Sequence, residues 1–150
     1  MRVVIQRTQK ASVEVNQQVI STIDQGLLIL LGVEEVDTLD DAQWLAGKIA
    51  KMRIFDDGTG KMNQSITDIS GEILVVSQFT LHASTKKGNR PSFIRSARPE
   101  VAHQLYEHFC DLLSLELHQE VKKGVFGAMM NVQLINDGPV TITMDSRQRE

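Results

Sequence analysis

The sequence predicts an α+β fold, with a mixed, barrel-like β-sheet core and two long helices. Three observations carry that reading. β-branched and apolar runs of strand character fill the first third of the chain and return after residue 72. Two stretches, one opening near Thr38 and one near Pro99, space their apolar residues at helical period. Strands and helices do not alternate regularly, which disfavours a doubly wound parallel sheet.

Each element follows from its residues. Arg2 to Arg7 and Ala11 to Val15 read as strands, and Asn16-Gln17 as a turn into a strand from Gln18 to Ile23. Gly26 opens a buried strand, Leu27 to Gly32. Leu39, Ala42, Leu45, Ala46, Ile49 and Met52 then fall on one helical face, with Asp37 as the expected cap. Arg53-Ile54-Phe55 is a short strand before the loop Asp56-Asp57-Gly58-Thr59-Gly60, and Ile73 to Leu81 is the second strongly apolar strand. His82 to Pro99 is polar and rich in turn residues. Pro99 suits the first turn of the second helix, which buries Ala102, Leu105, Tyr106, Phe109, Leu112 and Leu113. Met130 to Met144 returns to strand.

Length and composition bound the class. At 150 residues the chain is one domain large enough to bury a core without staples. The formal charge of -3 argues against a nucleic-acid coat but permits a local basic patch. One cysteine, Cys110, excludes an intrachain disulfide framework and reads as a small buried hydrophobe. The longest apolar run, Gly26 to Val33, is too short to span a bilayer, and the opening residues lack the pattern of a signal peptide. The expected location is the cytoplasm.

Four stretches offer chemistry. Leu134-Ile135-Asn136-Asp137-Gly138-Pro139-Val140-Thr141 sets a Gly-Pro step inside a strand, where proline cannot donate to the ladder and glycine opens backbone angles other residues avoid. Such a step leaves backbone carbonyls free to read a small polar group, or it is an ordinary strand terminator. Val75-Val76-Ser77-Gln78-Phe79-Thr80-Leu81 ends an apolar strand in polar side chains; alternation would put Ser77 and Phe79 on one face, Gln78 and Thr80 on the other. Thr80 as a nucleophile needs a base. His82 is the nearest, sharing a strand face with Thr80 if the strand continues, but no carboxylate stands at an obvious spacing to orient it. A strand threonine with satisfied hydrogen bonds is the simpler alternative. The segment from His82 to Pro99 carries Lys86, Lys87, Arg90, Arg95 and Arg98 with no acid, which suits either a phosphate backbone or a solvated loop. Gly124-Val125-Phe126-Gly127-Ala128-Met129-Met130 can line a pocket or simply turn into the last strand. No His/Cys/Asp/Glu spacing suggests a metal, and no phosphate cradle or dinucleotide fingerprint appears, so no cofactor is expected.

Together, Ser77-Gln78-Phe79-Thr80-Leu81 and Asn136-Asp137-Gly138-Pro139-Val140-Thr141 resemble the paired signatures of the D-aminoacyl-tRNA deacylases. The resemblance extends over residues 1–150 as a single deacylase domain, through Gln6-Arg7, Ala11-Ser12-Val13, Gly26-Leu27-Leu28, Arg53-Ile54-Phe55, Lys61-Met62-Asn63 and Arg90-Pro91-Ser92-Phe93. It implies a homodimer that cleaves the ester between a D-amino acid and the tRNA 3′ end. A cis Gly138-Pro139 bond would reach into the partner's active site as a chiral filter, supported by Arg7. Ser77, Gln78, Phe79 and Thr80 would form the opposite wall, Phe126, Ala128 and Met130 the remaining lining, and Lys86, Lys87 and Arg90 the RNA contact. Glycyl esters would be accepted because they present no side chain to reject.

With no general base evident, backbone N–H groups around Gln78 and Phe79 are expected to hold the oxyanion, with proton transfer assisted by the terminal ribose 2′-OH or by water it orients. Catalysis by Thr80 as a covalent nucleophile is the rival mechanism. Lys123, Met129 and His82 depart from the family pattern without disturbing either signature. Three other functions stay open: a related deacylase of mischarged L-aminoacyl-tRNA, a non-catalytic tRNA-binding module, and a hydrolase of free D-amino acid esters.

Overall fold

The computed structural model describes residues 1–149. One long strand organises it. β1 (Arg2–Val15) runs unbroken through the polar Thr8-Gln9-Lys10 step, where the sequence suggested two strands. It does so because β8 (Asn131–Asp145) lies antiparallel along one edge of it from end to end. The opposite edge is shared. Val15 to Ala11 pair with β2 (Gln18–Ile23), and Thr8 to Arg2 pair with β3 (Gly26–Gly32). The turn into β2 places Asn16 and Gln17 at φ 51° and 64°, the two left-handed residues that a tight hairpin requires.

β6 (Glu72–Ser77) adds in parallel to β3, and the two-residue β7 (Lys122–Lys123) in parallel to β6. The Ser21 hydroxyl then donates to the Lys123 carbonyl at 2.6 Å, drawing the outer strands together into a nearly closed, barrel-like sheet. β4 (Phe55–Asp56) and β5 (Met62–Gln64) form a separate small hairpin; of the predicted strand Arg53-Ile54-Phe55, only Phe55 lies in it.

The cap of helix α1 (Leu39–Ala50) lies one residue later than expected. Thr38 caps it, and the Asp41 carboxylate reaches back to accept from the Thr38 N–H at 2.9 Å. Asp37 is occupied otherwise: one carboxylate oxygen accepts from the Glu34 N–H at 2.7 Å, and the other lies 2.6 Å from the Met1 ammonium. Helix α2 (Pro99–Leu117) starts at its proline as predicted and ends on His118 in the left-handed conformation. Both helices pack over one core with Val3, Ile5, Leu27, Ile29, Leu31, Ile73 and Val75 of the sheet. Cys110 lies in that core, where burial pushes its thiol up to about 12, so it remains a protonated, inert hydrophobe.

Candidate active site

The polar end of β6 is a turn. The strand stops at Ser77 because the Gln78 N–H makes a last ladder-like bond to the Leu31 carbonyl at 2.7 Å, after which Phe79–His82 close a single 3₁₀ turn. The expected alternation of Ser77 and Phe79 against Gln78 and Thr80 therefore does not apply. Instead, Gln78 Nε2 donates to Thr80 Oγ1 at 2.5 Å, joining two side chains that a strand would hold side by side. Gly32 makes room for the turn, since a Cβ there would stand 2.9 Å from the Gln78 carbonyl oxygen. Arg2 Nη1 donates to the Leu81 carbonyl at 2.8 Å and Ser96 Oγ to the Phe79 carbonyl at 3.0 Å, so the turn is pinned from both sides.

His82 does not face Thr80. Its ring is fully buried against Gly32, with Nδ1 3.2 Å from Glu34 Oε1, a carboxylate 48 residues earlier that no local spacing could have shown. The Gln78 N–H, expected in an oxyanion hole, is taken by Leu31. The next two amides, of Phe79 and Thr80, have no acceptor among the described residues. Neighbouring free N–H groups at the start of a pinned turn can receive the negative charge that develops on a carbonyl oxygen under attack. Among the described residues the Thr80 hydroxyl has one hydrogen-bond partner, the Gln78 side-chain amide, which is not a base.

The second signature forms a bulge. Gln6 pairs with Thr141 and Thr8 with Asn136, so Asp137-Gly138-Pro139-Val140 stand outside the ladder opposite the single residue Arg7. Arg7 holds the bulge through Nε, 3.0 Å from Asp137 Oδ2, while its Nη1 donates to the Ile54 carbonyl at 2.6 Å. Gln6 closes the neck, its Oε1 accepting from Asn136 Nδ2 at 3.2 Å and from the Thr141 hydroxyl. Sequence reading gave Gln6 no such role; its signal was only its place beside Arg7. Gly138 sits at φ +114° and the Gly138-Pro139 bond is cis. Both residues are exposed, so main chain is what the bulge offers to a neighbour.

The stretch after β7 lies beside the end of β6, tied by the Gly124 N–H to the Val75 carbonyl at 2.9 Å. Phe126 is half-buried, its ring 5.7 Å from Tyr106 and 4.7 Å from His103. Gly127 turns the chain at φ +75°, Ala128 is half-buried, and Met130 packs over Gly124 and the Val13 cluster. Lys123 is engaged by Glu107 at 2.6 Å, and Met129 is almost wholly exposed.

The basic loop is smaller than its composition suggests. Arg95 pairs with Glu34 and Arg98 with Glu35, acids that come from outside the loop. Lys86, Lys87 and Arg90 are exposed and have no acidic partner among the described residues. Also among the described residues, no cluster of three His, Cys, Asp or Glu side chains could hold a metal.

Residues 4–145 match the family model described as D-Tyr-tRNA(Tyr) deacylase. A D-aminoacyl-tRNA deacylase of Akkermansia muciniphila is 61% identical over 150 residues, and one of Flavobacterium johnsoniae 56%, each alignment covering 100% of both chains. Among solved structures, one described as c-Myc DNA Unwinding Element Binding Protein superposes with a TM-score of 0.90 at 40% identity, covering 97% of this chain and 98% of that one. A probable eukaryotic D-amino acid tRNA deacylase has the same fold, with a TM-score of 0.83 at 19% identity over 95% of this chain and 97% of that one.

Proposed function

Because the chain belongs to the D-Tyr-tRNA(Tyr) deacylase family, we propose that it hydrolyses the ester joining a D-amino acid to the 3′ end of tRNA, reading handedness with main chain. The observation that carries this is the outward bulge at Gly138 and Pro139, clamped by Arg7 and Gln6.

The geometry favours two copies acting together. The 79–82 turn hangs from Arg2, and the bulge from Arg7, five residues further along β1. At about 3.4 Å per residue those anchors are roughly 17 Å apart, too far for both to line one small pocket within a chain. β8 pairs only with β1 among the described strands, leaving a long edge with Leu134 and Ile135 exposed, a surface suited to a second copy. In the dimer each bulge enters the other's pocket, against the wall of Ser77, Gln78, Phe79 and Thr80 and the lining of Phe126, Ala128 and Met130. Backbone carbonyls at Gly138 and Pro139 receive the α-amino group of a D-aminoacyl ester. An L-ester would point its side chain into that main chain, while a glycyl ester has none and is accepted.

In the chemical step, water attacks the ester carbonyl carbon and the Phe79 and Thr80 amides hold the resulting oxyanion. Collapse breaks the bond to the ribose oxygen, which leaves with a proton passed on by the neighbouring 2′-OH; the attacking water loses the balancing proton to solvent. The products are free D-amino acid and tRNA. Lys86, Lys87 and Arg90 hold phosphates of the incoming tRNA. No described helix is long and apolar enough to cross a membrane. A substrate drawn from translation supports a cytoplasmic location.

Hydrolysis of D-tyrosyl-tRNA set against L-tyrosyl-tRNA tests the reading. Rapid D cleavage with the L ester spared is expected. Equal or faster L cleavage would assign the chain to L-mischarged substrates, and binding without cleavage would make it a tRNA-binding module. Cleavage of free D-amino acid esters as fast as the tRNA ester would remove the RNA from the account. Thr80→Ala should keep kcat within about tenfold of wild type, because the Thr80 amide survives and only a side-chain hydrogen bond is lost. A trapped acyl-enzyme, or loss of a thousandfold with intact binding, would restore the nucleophile mechanism.

A further inference from the structure

The site's rim carries an aromatic pair whose two rings take no part in the proposed chemical step, although the Phe79 main chain does. The Phe79 and Phe93 rings meet edge to face, centroids 5.1 Å apart at 71°, and are 57% and 37% exposed. We propose that this pair is a stacking platform for a nucleobase of the unpaired 3′ tail of tRNA, an inference that rests on the aminoacyl-tRNA reading above.

The platform is built. Ser96 donates its N–H to the Phe93 carbonyl and its hydroxyl to the Phe79 carbonyl, both at 3.0 Å, so one residue fixes the backbone under both rings. Ser84 and Ser92 exchange two backbone hydrogen bonds of 2.8 and 2.9 Å, closing the neck of the loop that carries Lys86, Lys87 and Arg90. The loop bearing those cations therefore closes one residue before Phe93, and no acid lies between residues 82 and 99 to compete for them. Exposed rings beside unpaired cations are the composition of single-strand nucleic-acid sites, where stacking tolerates any base and the cations follow the phosphates. The placement fits the substrate: Phe79 carries one of the two free amides, so a base stacked on its ring lies within a nucleotide's reach of the reacting ester. A protein partner would find little here to satisfy three bare cations, and the open β8 edge already provides the face for a second copy.

The test uses Phe93, which contributes no atom to the proposed chemistry. Phe93→Leu keeps apolar volume without a π face; Phe93→Trp keeps the face. Stacking predicts that Phe93→Leu raises KM for D-tyrosyl-tRNA roughly 5- to 100-fold at unchanged kcat, and that Phe93→Trp restores it. The slope of binding against salt stays as in wild type for Phe93→Leu, but falls by about one for each of Lys86→Ala, Lys87→Ala and Arg90→Ala that removes a phosphate contact. With 3′-O-D-tyrosyl-adenosine, a matching KM defect assigns the platform to the terminal adenine; its absence assigns the preceding base. An unchanged KM for tRNA, a loss of kcat alone, or a shift of Phe93→Leu in oligomeric state would overturn the proposal. Equilibrium binding of uncharged tRNA separates the two levels. If wild type cleaves nothing but Phe93→Leu still weakens binding, the deacylase reading falls and the platform stands. If wild type cleaves D-tyrosyl-tRNA and Phe93→Leu matches it in binding and KM, only the platform falls.

Discussion

Gly138→Ala is expected to lower kcat/KM for D-tyrosyl-tRNA by about a hundredfold while the protein stays folded. At φ +114° an L side chain is strained, and the new Cβ would stand 2.9 Å from Arg7 Nη2 and 3.0 Å from Val140 Cγ2. The two closest atoms belong to side chains, and the nearest main-chain atom, Val140 N, is 3.3 Å away. A local shift of the bulge therefore relieves the contact at a conformational cost of order 1–3 kcal/mol rather than a collapse of the sheet. The bulge lies outside the β1–β8 ladder, and pairing continues on either side of it. What moves is the main chain proposed to meet the α-amino group, together with the guanidinium that holds it. A displacement of about 1 Å at a reacting centre is enough for a loss on the order of a hundredfold. Discrimination should suffer with rate, so the ratio of D to L cleavage is the sharper readout. Near-wild-type kcat/KM and an unchanged D/L ratio would remove the bulge from the mechanism.

Gly26→Ala should act on stability instead. Gly26 opens β3 and pairs with Thr8 on one side and Glu72 on the other. A Cβ there would lie 1.8 Å from the Glu72 carbonyl oxygen, 2.7 Å from its carbon and 2.8 Å from its nitrogen, all main-chain atoms of the parallel neighbour. Relief requires β3 and β6 to part at the level where both begin. Overpacking of this kind costs about 3 kcal/mol or more, which for a chain of this size lowers the melting temperature by roughly 10 °C. A thermal melt within about 2 °C of wild type would show that the sheet can open there, and that the fit of Gly26 to Glu72 contributes little to the fold.

These two glycines show what local reading reaches. Gly138 stood out because proline follows it within an apolar strand, a chemical anomaly visible in eight residues. Gly26 looked only like the start of a buried strand, since the atoms that demand glycine belong to Glu72, 46 positions later. The same divide runs through the site. The helix from Pro99 was legible because a proline and an apolar period announce it. The cap of α1 was misplaced by one residue because Asp37 is held by the Glu34 amide and the Met1 ammonium, partners supplied by the fold. Continuing β6 to Leu81 was reasonable from apolar content. The strand ended earlier because Leu31 accepts from Gln78 and a turn follows, which moves the free amides to Phe79 and Thr80. The five-cation loop became three cations because Glu34 and Glu35 engage Arg95 and Arg98.

By itself the sequence determined the α+β class, the two helices and the two signatures, because period, proline placement and residue chemistry are properties of short windows. Tertiary structure alone decided which amides stay free, that four residues leave the ladder opposite Arg7, and that Phe93 comes to rest on Phe79. Each of those depends on strands and loops distant in the chain competing for the same hydrogen bonds and the same space, and no short window contains both competitors.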